Sequence, residues 1–230
     1  MPARLRPKAP VAADAILVGD PGRSLLLAQE LLEAPRMSNH ARGLWGYSGR
    51  TPAGHELTIQ ATGMGGPSAT AVLADLAELG LRRAIRVGTC TALGGGVELG
   101  ELLIVREAIA AGGSASSFGL AEGERVWPDE RLHDGLVREL GEGAREATTA
   151  SLDSLHGTSV EGAAGQTMDA VAADMQTAAV LGRGRGLGIA VAAVLVVADA
   201  GAGEALDDEA LEVAAKRAGQ AAAAAFGEII

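Results

Sequence analysis

An apolar strand that begins at Ala84 runs out with Arg86 at its end and breaks into a glycine turn, Gly88-Thr89-Cys90-Thr91, and Gly94 to Gly96 follow as a glycine triplet. Just upstream, Thr62-Gly63-Met64-Gly65-Gly66-Pro67-Ser68 forms a second glycine turn. A guanidinium beside a hydroxyl and free backbone N–H groups, at the carboxyl end of a strand, suits a small tetrahedral anion. Gly19-Asp20-Pro21-Gly22-Arg23 repeats the idea after the short strand Ala15–Val18, where a glycine turn meets a helix N-terminus and Arg23 adds charge. Each motif also has a plain reading. Pro21 serves as the first residue of an ordinary helix, and Arg42, in Asn39-His40-Ala41-Arg42-Gly43, is by itself a solvated loop arginine.

The elements that must position these groups are legible from periodicity. Ser24 to Leu32 has helical spacing, and Leu44 to Tyr47 with Leu57 to Ala61 reads as two strands around Thr51-Pro52-Ala53-Gly54. Pro67 to Leu79 is a helix that buries Ala71, Val72, Leu76 and Leu79 and is capped by Gly80. The central strand and Leu102 to Val105 follow, then a Gly/Ser/Ala-rich loop over 110–125 and a helix over 129–140. Glu146 to Ala150 reads as a strand, and Val171 to Gly182 as a helix with Asp174, Met175 and Gln176 in its early part. Gly188 to Val197 reads as the most buried strand, and Asp207 to Phe226 as a long terminal helix. Strands alternating with helices indicate one α/β domain over 1–230, a three-layer α/β/α arrangement on a largely parallel mixed sheet. Residues 1–13 are expected as a flexible N-terminal segment.

Composition limits the function classes. With 230 residues, 48% of them hydrophobic, the chain buries one sizeable core. A formal net charge of −10 argues against a nucleic-acid or anionic-membrane surface, so a phosphate must be met by locally placed arginines. The single cysteine allows no intrachain disulfide, which fits a reducing cytoplasm. No signal-like segment and no membrane-length apolar run is present. Nor does any cluster show metal-ligand spacing, so neither a metal nor an organic cofactor is expected.

Five segments, in order, resemble the nucleoside phosphorylase family that holds bacterial hexameric purine nucleoside phosphorylases and uridine phosphorylases. They are VGDPGR, NHARGLWGYSG, TGMGGPS, IRVGTC with VELGELLI, and DMQTAAVLG with VLVVAD, spanning residues 15 to 200. The resemblance implies phosphate contacts from Gly19, Arg23, Arg86 and Thr89. It implies a further phosphate contact from Arg42 across a subunit boundary, hence a homo-oligomer of dimer units, a trimer of dimers in the hexameric members. Met64, Met175 and Gln176 fall on the ribose side, and Cys90, Thr91, Leu155 and Asp174 on the base side. Asp199 matches the aspartate that protonates a departing purine. Inorganic phosphate would be the co-substrate and a nucleoside the substrate.

The departures from the family pattern are specific. Gln176 stands in place of a carboxylate, Thr91 in place of a glycine, Leu155 in place of a stacking aromatic ring, and His156 in place of a tyrosine. The family's N-terminal histidine has no counterpart in 1–13, and no arginine is in register to assist Asp199. The leading expectation is phosphorolysis of a nucleoside, a purine one because Asp199 is present and a uracil-reading Gln-x-Arg element is absent from 157–165. Open beside it are a uridine phosphorylase, a nucleosidase using water, and a protein that binds a nucleoside or base with little turnover.

Overall fold

A computed structural model describes residues 4–94, 96–155, 169–200 and 204–227. Its elements are β1 (Asp14–Val18), α1 (Pro21–Leu31), β2 (Glu33–Asn39), β3 (Gly46–Arg50), β4 (Glu56–Ala61), α2 (Gly65–Glu78), β5 (Arg83–Ala92) and β6 (Leu102–Ala110). They continue with α3 (Gly113–Ser116), β7 (Arg125–Val126), α4 (Glu130–Leu140), β8 (Arg145–Ser151), β9 (Ala172–Asp174), α5 (Thr177–Leu187), β10 (Ala190–Asp199) and α6 (Asp208–Gly227).

The strands make one sheet in the order β10-β6-β8-β9-β5-β1-β4-β3-β2, with β7 on β6. Because β5 pairs with β10 as well as with β9, the strands β5, β10, β6, β8 and β9 close into a ring. Closure leaves those five strands no open edge. From this ring, β1 and β4 extend parallel to β5. The expected three layers are present, but the sheet is more evenly mixed than "largely parallel". The β10–β6 and β5–β9 pairings inside the ring are antiparallel, as are β2–β3 and β3–β4 at the open side.

Period-2 alternation sorts side chains to the two faces. Ile16, Val18, Ile85 and Val87 pack with Leu27 and Leu31 of α1, Leu132 and Leu136 of α4, and Ala218 and Ala222 of α6. Ala15, Leu17 and Ala84 face the other way, onto Val72, Leu73 and Leu76 of α2 and Val180 and Leu181 of α5. With both faces covered, β1 is buried along its whole length.

Four local readings change. The strand expected to break into a turn at Gly88 runs on to Ala92, because β10 pairs with it along Gly88 to Thr91. Strand β2 was not expected: Pro35 and the positive φ of Ala34 (44°) break any alternation, and its register with β3 is irregular. Residues 171–182 are not one helix. Ala172 and Ala173 pair with β8 and β5, and α5 starts only at Thr177. The loop over 110–125 contains α3 and ends in β7.

The lead-in expected to be flexible is tied down from residue 4. Arg4 N and Leu5 N donate to Asp75 Oδ2 (2.6 and 2.8 Å), and Arg6 N donates to Asn39 Oδ1 (2.8 Å). Ala12 N donates to Thr58 Oγ1 (2.8 Å). Asp75 is buried, so its carboxylate needs such donors, and Leu5 is buried beside it. No helix among the described residues is long and apolar enough to cross a membrane.

Candidate functional site

Strands β5, β1 and β4 are parallel neighbours, so the turns that leave their carboxyl ends lie side by side. Such strand ends are where an open α/β sheet presents a ligand crevice. A cleft of about 480 Å³ opens there. Gly19 and Arg23 line it from the β1–α1 turn, Gly63, Met64 and Gly65 from the β4–α2 turn, and Arg86, Gly88 and Thr89 from β5. Met175 and Gln176, between β9 and α5, and Leu155, beyond β8, complete the described lining.

Each wall has a local reason for its shape. Asp20 caps α1 by accepting from Arg23 N (2.8 Å), which draws the first turn of α1 around the cleft. Gly63 and Gly65 have φ of 72° and 79°, a conformation that favours glycine. At Gly63 a Cβ would also meet Ser68 Oγ at 2.7 Å. Met64 precedes α2 without a side-chain cap, so the first N–H groups of that helix are available to an anion. Met64 itself is 84% exposed at the rim, apolar surface that a ligand would cover.

Arg86 is 5% exposed and its fork is largely committed. Nη2 donates to Asp174 Oδ2 (2.8 Å), Nη1 to Gln176 Oε1 (2.7 Å) and Nε to Thr177 Oγ1 (3.2 Å). Burial pulls the Arg23 pKa down from its ordinary value; Asp20 opposes that and Arg86 adds to it. An arginine keeps its charge through such a shift. The cleft therefore holds two cations, one balanced by Asp174 behind it.

Gln176 is buried and spent on both ends. Its Nε2 donates to Gly63 O (2.5 Å), while Oε1 accepts from Arg86 and, at 3.4 Å, from Thr62 Oγ1. The amide thus ties the β4–α2 turn to β5, which a carboxylate cannot do because it has no hydrogen for Gly63 O. Gln176→Glu is expected to lose about 1–3 kcal/mol of stability at neutral pH. The loss should shrink in acid, where the protonated side chain donates again. Thermal denaturation at pH 7 and pH 5 checks this, and an equal penalty at both would contradict it.

Of the residues singled out from sequence, Gly19, Arg23, Met64, Arg86, Thr89, Leu155, Met175 and Gln176 meet at this cleft. Asp174 has no exposed surface and lies behind Arg86. The thiol of Cys90 bonds Val196 O (3.6 Å), and burial, with Asp174 adding, raises its pKa well above the usual thiol range. Thr91 pairs with Ala173 and, through its Cα register, Asp199. Asp199 ends β10, half-buried, and bridges to Ala205, outside the cleft lining. Arg42 is exposed on a one-turn 3₁₀ segment, itself at φ 61°, and is not among the residues lining this cleft. His156 and the stretch 157–165 lie outside the described residues. No group of three or more metal-ligating side chains occurs among the described residues.

Sequence reading missed the room that Gly88 makes for the Arg86 side chain, and it missed Ser151 and Thr177. Gly88 had a signal, since a glycine two residues after an arginine on a strand shares its face. Ser151 and Thr177 had none, being remote from Arg86 in the chain.

The chain matches the family model "Phosphorylase superfamily" over residues 14–230. It is 36% identical over 99 residues to the DeoD-type purine nucleoside phosphorylase of Oceanobacillus iheyensis, covering 43% of this chain and 42% of that one. The DeoD-type enzyme of Clostridium beijerinckii is 35% identical over 103 residues, 44% of this chain and 43% of the relative. The match thus spans about two fifths of these relatives' length. Among solved structures, uridine phosphorylase from Vibrio fischeri has a TM-score of 0.80 at 22% identity, covering 94% of this chain and 92% of its own. Purine nucleoside phosphorylase from Toxoplasma gondii, in complex with immucillin-H, gives 0.82 at 22% identity with the same coverage. These two likenesses show the mixed α/β fold.

Proposed function

Because the chain belongs to the phosphorylase superfamily, we propose that it cleaves the N-glycosidic bond of a nucleoside with inorganic phosphate, a purine nucleoside in preference to a pyrimidine one. The observation that carries this reading is the meeting of Arg23 and Arg86 with the turns at Gly19 and Gly63–Gly65 in one cleft.

In this reading, phosphate sits between the two guanidinium groups and the free N–H groups of α2, with Thr89 at its side. One phosphate oxygen forms a bond to the anomeric carbon as the bond to the base breaks. The base leaves with the electron pair, and Asp199 supplies the proton it needs. Holding the dianion in line converts a bimolecular encounter into a positioned one. Its charge stabilises the cationic sugar as that charge develops. Met64 and Met175 flank the sugar and Leu155 the base. Cys90 and Thr91, on the strand behind, shape the base-side wall. Arg42 is exposed and is not among the residues that line its own cleft; in this reading it contributes to phosphate in a neighbouring copy of a homo-oligomer.

The discriminating experiment offers inosine, adenosine, guanosine and uridine with and without phosphate. Release of purine base only with phosphate, with pentose 1-phosphate formed in equal amount, is the expected result. Preferred turnover of uridine would move the base specificity to pyrimidine, and release without phosphate would make the protein a nucleosidase. One observation favours a fourth outcome, binding without turnover: Gln176 leaves no carboxylate among the described residues lining the cleft. Thermal stabilisation by nucleosides with no base released would establish it.

A further inference from the structure

Asp174 is the carboxylate among the three side chains that hold the Arg86 guanidinium, Nη2 donating to its Oδ2 at 2.8 Å. Its Oδ1 accepts from Ser151 Oγ of β8 (2.6 Å), and its Oδ2 accepts from Thr177 Oγ1 (2.6 Å) and Thr177 N (3.0 Å) at the start of α5. The carboxylate is therefore fixed by two elements besides its own strand before Arg86 reaches it. We propose that Asp174 is a positioning residue for Arg86, setting the angle at which the guanidinium faces phosphate; this deepens the phosphorolytic reading and rests on it.

The hydrogen inventory supports the assignment. A guanidinium has five N–H groups. Thr177, Asp174 and Gln176 take three of them, which leaves one on each terminal nitrogen for a ligand in the cleft. Two remaining donors on one planar group match the spacing of a pair of oxyanion oxygens. Gly88 completes the arrangement. A Cβ there would stand 2.6 Å from both Cζ and Nη2 of Arg86, so the side chain lies across its own strand only because that position is glycine. A residue needed solely to cap α5 would use Thr177 N and leave Arg86 alone.

Asp174 also has an opposing effect, since its charge weakens the pull of Arg86 on a dianion. Positioning outweighs it. A buried arginine without its partner either stays desolvated and unpaired or swings out of line, and both lose more than a partly offset field.

The test titrates inorganic phosphate into the wild type, Asp174→Asn and Gly88→Ala by calorimetry, and measures phosphorolysis of inosine on the same samples. Both variants are expected to weaken phosphate binding by about tenfold or more. The phosphate KM should rise in step, with the nucleoside KM and the kcat at saturating phosphate little changed. Gly88→Ala leaves the cap of α5 intact, so it decides the matter if Asp174→Asn does not fold. Unchanged or tighter phosphate binding in the variants, whatever their melting temperatures, overturns the proposal. Phosphate binding to the wild type without phosphorolysis would defeat the functional reading alone, and weakened binding in the variants would still support Asp174 as the residue that orients Arg86. A wild type that binds no phosphate overturns both.

Discussion

Arg86→Met is expected to cut the proposed phosphorolysis steeply and to destabilise the protein, for separable reasons. The first is loss of one of the two cations at the cleft. Removing one partner of a buried, hydrogen-bonded charge contact costs about 2–5 kcal/mol, or roughly 30-fold to several-thousand-fold in kcat/KM for phosphate. The second is that Asp174, with no exposed surface, is left without its counter-charge. Breaking a buried pair in this way costs about 3–5 kcal/mol. The double variant Arg86→Met with Asp174→Asn separates the two effects. It should regain much of the melting temperature, because no buried charge remains unpaired, while activity stays low. Recovery of activity together with stability would show that Arg86 serves the fold and not the phosphate.

Phe226→Ala should produce the largest purely structural effect. Phe226 is 2% exposed near the end of α6 and is held against the amino ends of β1 and β5. There Arg83 donates to both oxygens of Asp14 (2.6 and 2.5 Å), lies 5.4 Å from the Phe226 ring centroid, and donates to Phe226 O (3.3 Å). His55 stacks on the same ring, with centroids 6.2 Å apart and planes at 17°, and places Nε2 2.9 Å from Asp14. Truncating a buried phenylalanine costs about 3–5 kcal/mol. At about 2–4 °C per kcal/mol for a chain of this size, the melting temperature should fall by roughly 6–20 °C. The cleft is at the other end of the same strands, so the phosphate KM of the folded variant should match wild type. A shift in that KM comparable to the loss in stability would mean that the two ends of the sheet are coupled.

What could be read from the sequence follows from the range over which each feature is determined. The turns at Gly19, Gly63 and Gly65 and the strands β1, β4, β5 and β10 are decided within a few residues, so spacing and residue type sufficed. Two misreadings have physical causes. Ala172 and Ala173 belong to β9, but alanine is small enough to suit either period, and only their pairing with β5 and β8 makes them a strand. Strand β2 carries Pro35 and an irregular register, so no alternation announces it. Arg23 and Arg86 were legible because phosphate chemistry narrows the choice to arginines beside glycines, whereas Met64, Leu155, Met175 and Gln176 were placed only by the family resemblance. The partners that orient Arg86 were not legible, because Asp174, Gln176 and Thr177 lie 88 to 91 positions away and meet it only when the strand ring closes. Gln176 shows the point most clearly. From sequence it is a missing carboxylate; in the fold its amide joins the β4–α2 turn to β5, and its bond to Gly63 O is one that a glutamate carboxylate cannot make.

The most direct measurement is a crystal structure of the protein grown with inorganic phosphate and a nucleoside. Arg23 and Arg86 are expected to lie within hydrogen-bond distance of one phosphate, with the sugar directly above it. A phosphate bound elsewhere, or two guanidinium groups that share no anion, would contradict the account.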